Sequence, residues 1–198
     1  MSAPSYAWFN GPVRWYYGAN TGTALALPTD SVEYGTSWTT GIPAWTDGGK
    51  TQGEPTVAPE FENRDLETDQ DDSAIHSWRT ANSLTFKIPT LDVTLDMLKR
   101  AHGQGTLTSG ASEDSFGMGG NTPVLDFYSI GFEGYAPGGA TATPKYRRLV
   151  VWKATPTGYE ELKWSGTEET ILVITWKAYL DTSKAVGKQL CDWVDDQD

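Results

Sequence analysis

Apolar and polar positions alternate with a period of two wherever the chain carries a clear pattern. Residues 83–88 read Ser-Leu-Thr-Phe-Lys-Ile, which sets Leu84, Phe86 and Ile88 on one face and Ser83, Thr85 and Lys87 on the other. That is the mark of a half-buried strand. In 170–180, Leu172, Ile174, Trp176, Ala178 and Leu180 share a face, and the β-branched content favours a strand over a helix. Residues 12–17, 124–132 and 146–154 are further strand candidates. One segment has helical spacing instead: Leu95, Leu98, Ala101 and His102 fall along one stripe, with Thr94 placed to cap the start and Gly103 the end. This helix is too short to stand alone and must pack on a sheet. Glycine-rich punctuation fills 103–122, and a Pro/Gly-rich segment spans 136–144. The pattern predicts a mainly β fold over 1–198, a single domain built as a β-sandwich or partly open barrel of two packed sheets with one flanking α-helix.

Composition narrows the function classes. The chain has 198 residues, 38% hydrophobic and 21% charged, which describes a folded globular protein. Its 26 acids against 15 bases give a net charge of -11, so binding nucleic acid by general phosphate neutralisation is excluded. A single cysteine, Cys191, rules out an internal disulfide framework, and two histidines leave little for a Cys/His metal site. The opening residues lack the charged and apolar regions of a secretory signal, and no apolar run approaches ~18 residues, so a soluble protein made in the cytoplasm is expected.

The negative charge is concentrated. Residues 46–76 hold nine acids and two bases, 192–198 hold four acids and no base, and the remainder balances. Such segments are either solvated surface or a means of repelling or recruiting a charged partner. The alternating carboxylates Asp65, Glu67, Asp69 and Asp71 suggest calcium, but an EF-type loop from Asp65 needs Gly and Glu where Gln70 and His76 stand. No metal or cofactor is therefore expected. No nucleophile elbow, phosphate loop or Cys-x-x-Cys is present, so the chain reads as non-enzymatic, with Cys191 structural and His76 and His102 in packing or surface roles. Trp152 and Trp176 lie inside strand patterns and read as core. Trp8, Trp38, Trp45, Trp78, Trp164 and Trp193 border strands or loops, where they suit sugar stacking or protein–protein anchoring.

Read in order, these pieces resemble the tail tube (major tail) proteins of long-tailed bacteriophages. The resemblance is carried by Trp45-Thr46-Asp47-Gly48-Gly49-Lys50-Thr51, the acidic stretch after it, the strand at 83–88 and the helix from Thr94 to Gly103. The later segments Tyr146-Arg147-Arg148-Leu149 and 172–181 also fit, as does 18–23 near the start. An extra Gly49 in the turn and a long glycine-rich loop depart from the family pattern. The resemblance implies the tail-tube fold, with an N-terminal arm (about 1–12), a long acidic loop (about 47–80), the glycine-rich loop (about 103–122) and an acidic C-terminal tail (about 182–198). It implies a structural subunit whose hexameric rings stack into a tube conducting genome DNA without gripping it. Expected partners are copies of itself and tape measure, tail terminator and tail-tip proteins, in a virion tail assembled in the host cytoplasm, with no membrane binding. The sequence nominates Asp47, Glu60, Glu62, Asp65, Glu67, Asp69, Asp71, Asp72, Trp78, Arg147, Arg148 and Trp193 as inter-subunit contacts. A carbohydrate-binding β-sandwich is the alternative.

Overall fold

A computed structural model of the chain describes residues 10–20, 38–41, 45–68, 71–119, 125–136, 145–163 and 169–195. In chain order the elements are β1 (Asn10–Ala19), α1 (Trp38–Gly41), β2 (Thr46–Asp47), β3 (Thr56–Thr68), β4 (Asp71–Thr90), α2 (Leu95–His102), β5 (Thr106–Ser109), β6 (Asp114–Gly117), β7 (Tyr128–Tyr135), β8 (Tyr146–Tyr159), β9 (Leu172–Ala178) and β10 (Cys191–Asp195). The hydrogen-bonded path runs β2-β1-β7-β8-β9-β4-β3 and does not close on itself; β10 joins at β8. All neighbours along it are antiparallel.

The path is folded into two layers by β8. Its first half pairs with β7 on one side and with β10 on the other, from Arg147↔Asp195 to Val151↔Cys191. Its second half, from Ala154 onward, pairs with β9. A register shift between Pro156 and Gly158 marks this second half, a place where the missing proline N–H is tolerated. One strand therefore belongs to both sheets of a sandwich: β2-β1-β7-β8-β10 and β8-β9-β4-β3. The sheets pack face to face. Phe86 of β4 meets Phe132 of β7 edge-on at 5.9 Å between ring centroids, and Trp176 of β9 meets Tyr128 at 5.7 Å. Leu84, Phe86, Ile88, Leu172, Ile174, Trp176 and Ala178 of the apolar faces seen in the sequence lie in this core, whereas Leu180, expected on the same face, falls past the end of β9 and is 59% exposed.

Helix α2 closes one end. Thr94 accepts a hydrogen bond from the Met97 amide at 3.1 Å, and Gly103 ends the helix with φ at 71°, the left-handed conformation glycine adopts without strain. The buried helical residues are Met97 and Ala101, with Leu98 packed beside them. The expected stripe is thus rotated, with Met97 buried and Leu95 37% exposed. Arg100 pairs with Asp96 at 2.7 Å and lies over the Tyr17 and Tyr128 rings at 4.3 and 5.4 Å.

Sheet β2-β1-β7-β8-β10 is also covered on its outer face. Tyr16, Trp38, Trp45, Val150 and Trp152 form a second cluster there. Trp38 and Trp45, expected on the surface, are core. Gly131 explains how Trp38 fits: a Cβ at that position would lie 2.1 Å from the indole ring. Because both faces of the sheet are buried, polar side chains of β7 are buried too, among them Ser129, which donates to the Trp152 carbonyl at 2.6 Å.

Three expected loops have structure. The acidic segment expected as a loop over 47–80 is mostly a β-hairpin, with β3 and β4 paired from Thr56↔Lys87 to Thr68↔Asp71. Within 103–122, β5 and β6 pair and Phe116 packs on His102 of α2. In the expected C-terminal tail, 191–195 form β10, because Arg147 and Lys188 neutralise Asp195 and Asp192. Residues 1–9 of the expected arm, the residues 21–23, Asp69, 120–122, 137–144, Trp164 and 196–198 lie outside the described residues.

Candidate assembly interface

The β3–β4 hairpin leaves the body of the sandwich. β4 pairs with β9 only from Thr85 to Thr90, so before Thr85 its single strand neighbour among the described residues is β3. From Glu60 to Leu66 and from His76 to Asn82 every residue is exposed, whichever face it points to. From Glu60 to Thr68 this arm is roughly 25 Å long at ~3.3 Å per residue.

Register assigns the faces. Val57, Pro59 and Phe61 continue the core-facing side of β3, opposite Phe86, Leu84 and Asn82. A register shift after Glu62 leaves Thr80 as an extra residue on β4, its hydroxyl donating to the Glu62 carbonyl at 3.2 Å. Beyond it Arg79 returns to the Phe61 side and lies over that ring at 4.0 Å. The opposite face carries Glu60, Glu62, Arg64 and Leu66 on β3, with Trp78 opposite Arg64 and His76 opposite Leu66. Arg64 lies 5.9 Å from the Trp78 ring centroid, and His76 lies 5.8 Å from it. Phe61, Leu66 and Trp78 are 53%, 44% and 40% exposed. An isolated two-stranded ribbon is at best marginally stable in water, and this one also displays three large apolar side chains.

At the root of the arm lies an apolar groove of about 310 Å³, walled by Val57, Pro59, Phe61 and Leu84 on one side and by Leu190 and Trp193 on the other. Cys191 lines it as well; burial and the neighbouring Asp192 push its thiol pKa up. The groove sits at the open mouth of the sandwich, between the edge strands β3 and β10.

The nominated residues separate into groups. Glu60, Glu62, Asp65 and Trp78 are together on the arm, as are the backbones of Glu67, Asp71 and Asp72. Asp47 is exposed on β2 and accepts from the Gly49 amide at 2.9 Å, which shapes the turn towards β4. Arg147 binds Asp195 through two 2.6 Å hydrogen bonds and lies over the Trp193 ring at 5.9 Å; this partner holds the Asp195 carboxyl below its ordinary pKa. Arg148 is inside the fold. It donates to Glu133 at 2.7 Å, the two side chains are 1% and 2% exposed, and Trp38 donates to the same carboxylate oxygen at 3.1 Å. The groove was not among the sequence candidates: Val57, Pro59, Leu84 and Leu190 are ordinary apolar residues until the topology brings β3 and β10 to one opening.

Among the described residues no group of His, Cys, Asp and Glu side chains is arranged to hold a metal ion. Five of the described tryptophans, Trp15, Trp38, Trp45, Trp152 and Trp176, are buried, and no planar row of exposed tryptophan exists among the described residues.

No family model matches the chain, and no curated protein matches it. Among solved structures it is similar to a chain of the anti-feeding prophage baseplate, determined by six-fold symmetrised electron cryo-microscopy. The match has 10% identity and a TM-score of 0.42, and covers 98% of this chain and 97% of that one.

Proposed function

We propose that this chain is a structural subunit that assembles with copies of itself through the β3–β4 arm. On the resemblance set out above, the assembly is the tube of a phage tail, built from stacked hexameric rings that conduct DNA. The observation that carries the reading is the arm, exposed on both faces and bearing Phe61, Leu66 and Trp78. Its sequence maintains a paired ribbon that nothing else in the described chain covers. Free strand edges and apolar knobs are liabilities in a monomer and become contacts in an assembly.

Magnitudes agree with a shared role. A ribbon ~25 Å long and ~10 Å wide presents roughly 500 Å² on its two faces, short of the ~800 Å² per partner of a standard interface. The body must contribute the rest. The acids keep the arm soluble before assembly: residues 60–79 hold seven acids and two arginines. Arms approaching one another repel, and DNA passing such a surface is not gripped. The tape measure, terminator and tip proteins are the partners expected at the ends of such a tube, and the virion is its location.

Sedimentation and negative-stain microscopy across protein and salt concentration test this. Rings or tubes with an open channel are expected, favoured as salt shortens the screening length from ~10 Å at 0.1 M to ~3 Å at 1 M. Trp78→Ala should raise the concentration needed for assembly about tenfold, since the half-exposed ring still has ~1–2 kcal/mol of burial to gain. A chain that stays monomeric throughout, or assembles equally well without Trp78, overturns the reading.

A further inference from the structure

The arm explains what one copy offers; the groove at its root suggests where a second copy receives it. Resting on the assembly reading, we propose that the Trp78 face of one copy's arm docks in the groove between β3 and β10 of the next, so that copies join head to tail. Three observations converge. The groove is apolar, and at about 310 Å³ it stands at the floor of the ~300–1,000 Å³ range of small-molecule pockets, a size for one large side chain and its neighbours. Trp78 and Leu66 are exposed together on a single face of the arm, and Trp is the side chain that most often anchors an interface. Charge also matches: the Trp78 face carries Glu60 and Glu62, while at the groove's Phe61 wall the exposed Arg79 guanidinium lies 4.0 Å over the ring.

The relation between knob and hole sets the symmetry. Phe61, a groove wall, points from one face of the ribbon, and Trp78 points from the other. Trp78 therefore cannot turn into its own groove without breaking the register that pairs it with Arg64. A two-fold dimer uses the same patch on both partners; here donor and acceptor are different patches, which gives a heterologous contact that closes into rings or propagates.

Cys191 makes this testable, since it is the only cysteine of the chain and lines the groove. A His76→Cys substitution places a second thiol beside Trp78 without removing it. Under assembling conditions, a short bis-maleimide should join position 76 of one copy to Cys191 of another and give a ladder of dimers, trimers and larger species on denaturing gels. Adding Cys191→Ser should abolish the ladder, because the docked contact then has a thiol on one side only, and adding Trp78→Ala should cut its yield about tenfold. Sedimenting assemblies with no such ladder would overturn the docking and leave assembly standing; no assemblies at all would overturn both. A ladder ending at dimers with both thiols present would remove the head-to-tail geometry. A link within one chain, or Cys191 shielded from alkylation equally in dilute monomer, would show the groove filled from within or by a small molecule, and would also refute the docking.

Discussion

Glu133→Ala should destabilise the chain by about 3–5 kcal/mol, the usual consequence of stripping a buried ion pair of one partner. Arg148 is 1% exposed and Glu133 2%, with 2.7 Å between donor and acceptor. For charges ~4 Å apart at an effective dielectric of ~20, the attraction is ~4 kcal/mol, and it offsets the desolvation of the guanidinium. Alanine removes that attraction and the acceptor of the Trp38 N–H but leaves Arg148 buried. Urea unfolding followed by tryptophan fluorescence is the assay. With a slope of about 2–3 kcal/mol/M for a chain this size, the midpoint should fall by roughly 1–2 M at unchanged slope. The double variant Glu133→Leu with Arg148→Met should lie within ~1.5 kcal/mol of the parent, because no charge is left stranded. A midpoint drop below ~0.3 M for Glu133→Ala, or a double variant weaker than the single, would refute the claim that desolvated charge dominates this site.

Gly131→Ala should cost about 1–3 kcal/mol by overpacking, because its methyl meets the Trp38 ring; increased quenching of tryptophan fluorescence by acrylamide would report the displaced indole. In alkaline titration at 295 nm, Tyr128 should ionise late, since burial raises its pKa to about 12 against the opposing effect of Arg100. Its contribution to stability is then full below pH ~10 and is lost as pH rises through its folded value, by an amount on the order of 2 kcal/mol. Asp195 has the opposite sign: the Arg147 hydrogen bond lowers its pKa, so its contribution is present above the ordinary carboxylate value of ~3.9 and fades as pH falls through the folded value. Relative to intrinsic exchange at the same pH, the protection of the 191–195 amides should fall in acid, by less than ~1 kcal/mol because the pair is partly exposed, and Arg147→Gln should abolish that pH dependence.

What the sequence revealed depended on how many faces an element buries. β9 and the inner part of β4 bury one face and read cleanly by alternation, and α2 announced both ends through Thr94 and Gly103. β7 buries both faces, so Ser129 and Glu133 interrupt any apolar alternation although both are buried, Ser129 on the Trp152 carbonyl and Glu133 on Trp38 and Arg148. The arm failed in the opposite sense: with both faces exposed it has no apolar period, and its charges imitate a loop. Arg148 was legible as charge but not as a buried partner, since Glu133 meets it only through the β7–β8 register. Of the proposed interface, Trp78 and the arm's acids were within reach of the sequence. The groove was not, because its walls come from strands more than a hundred residues apart.

The continuity of β4 has a mechanical consequence. One unbroken strand, Asp71–Thr90, runs from near the tip of the arm into the core, where six residues from Thr85 to Thr90 pair with β9. A pull along the arm therefore loads those pairs together, in shear, with Phe86 and Ile88 set in the core as anchors. Hydrogen bonds loaded in parallel yield only as a group, whereas a ribbon peeled from its end gives way one bond at a time. The arm is tethered in the stiff direction.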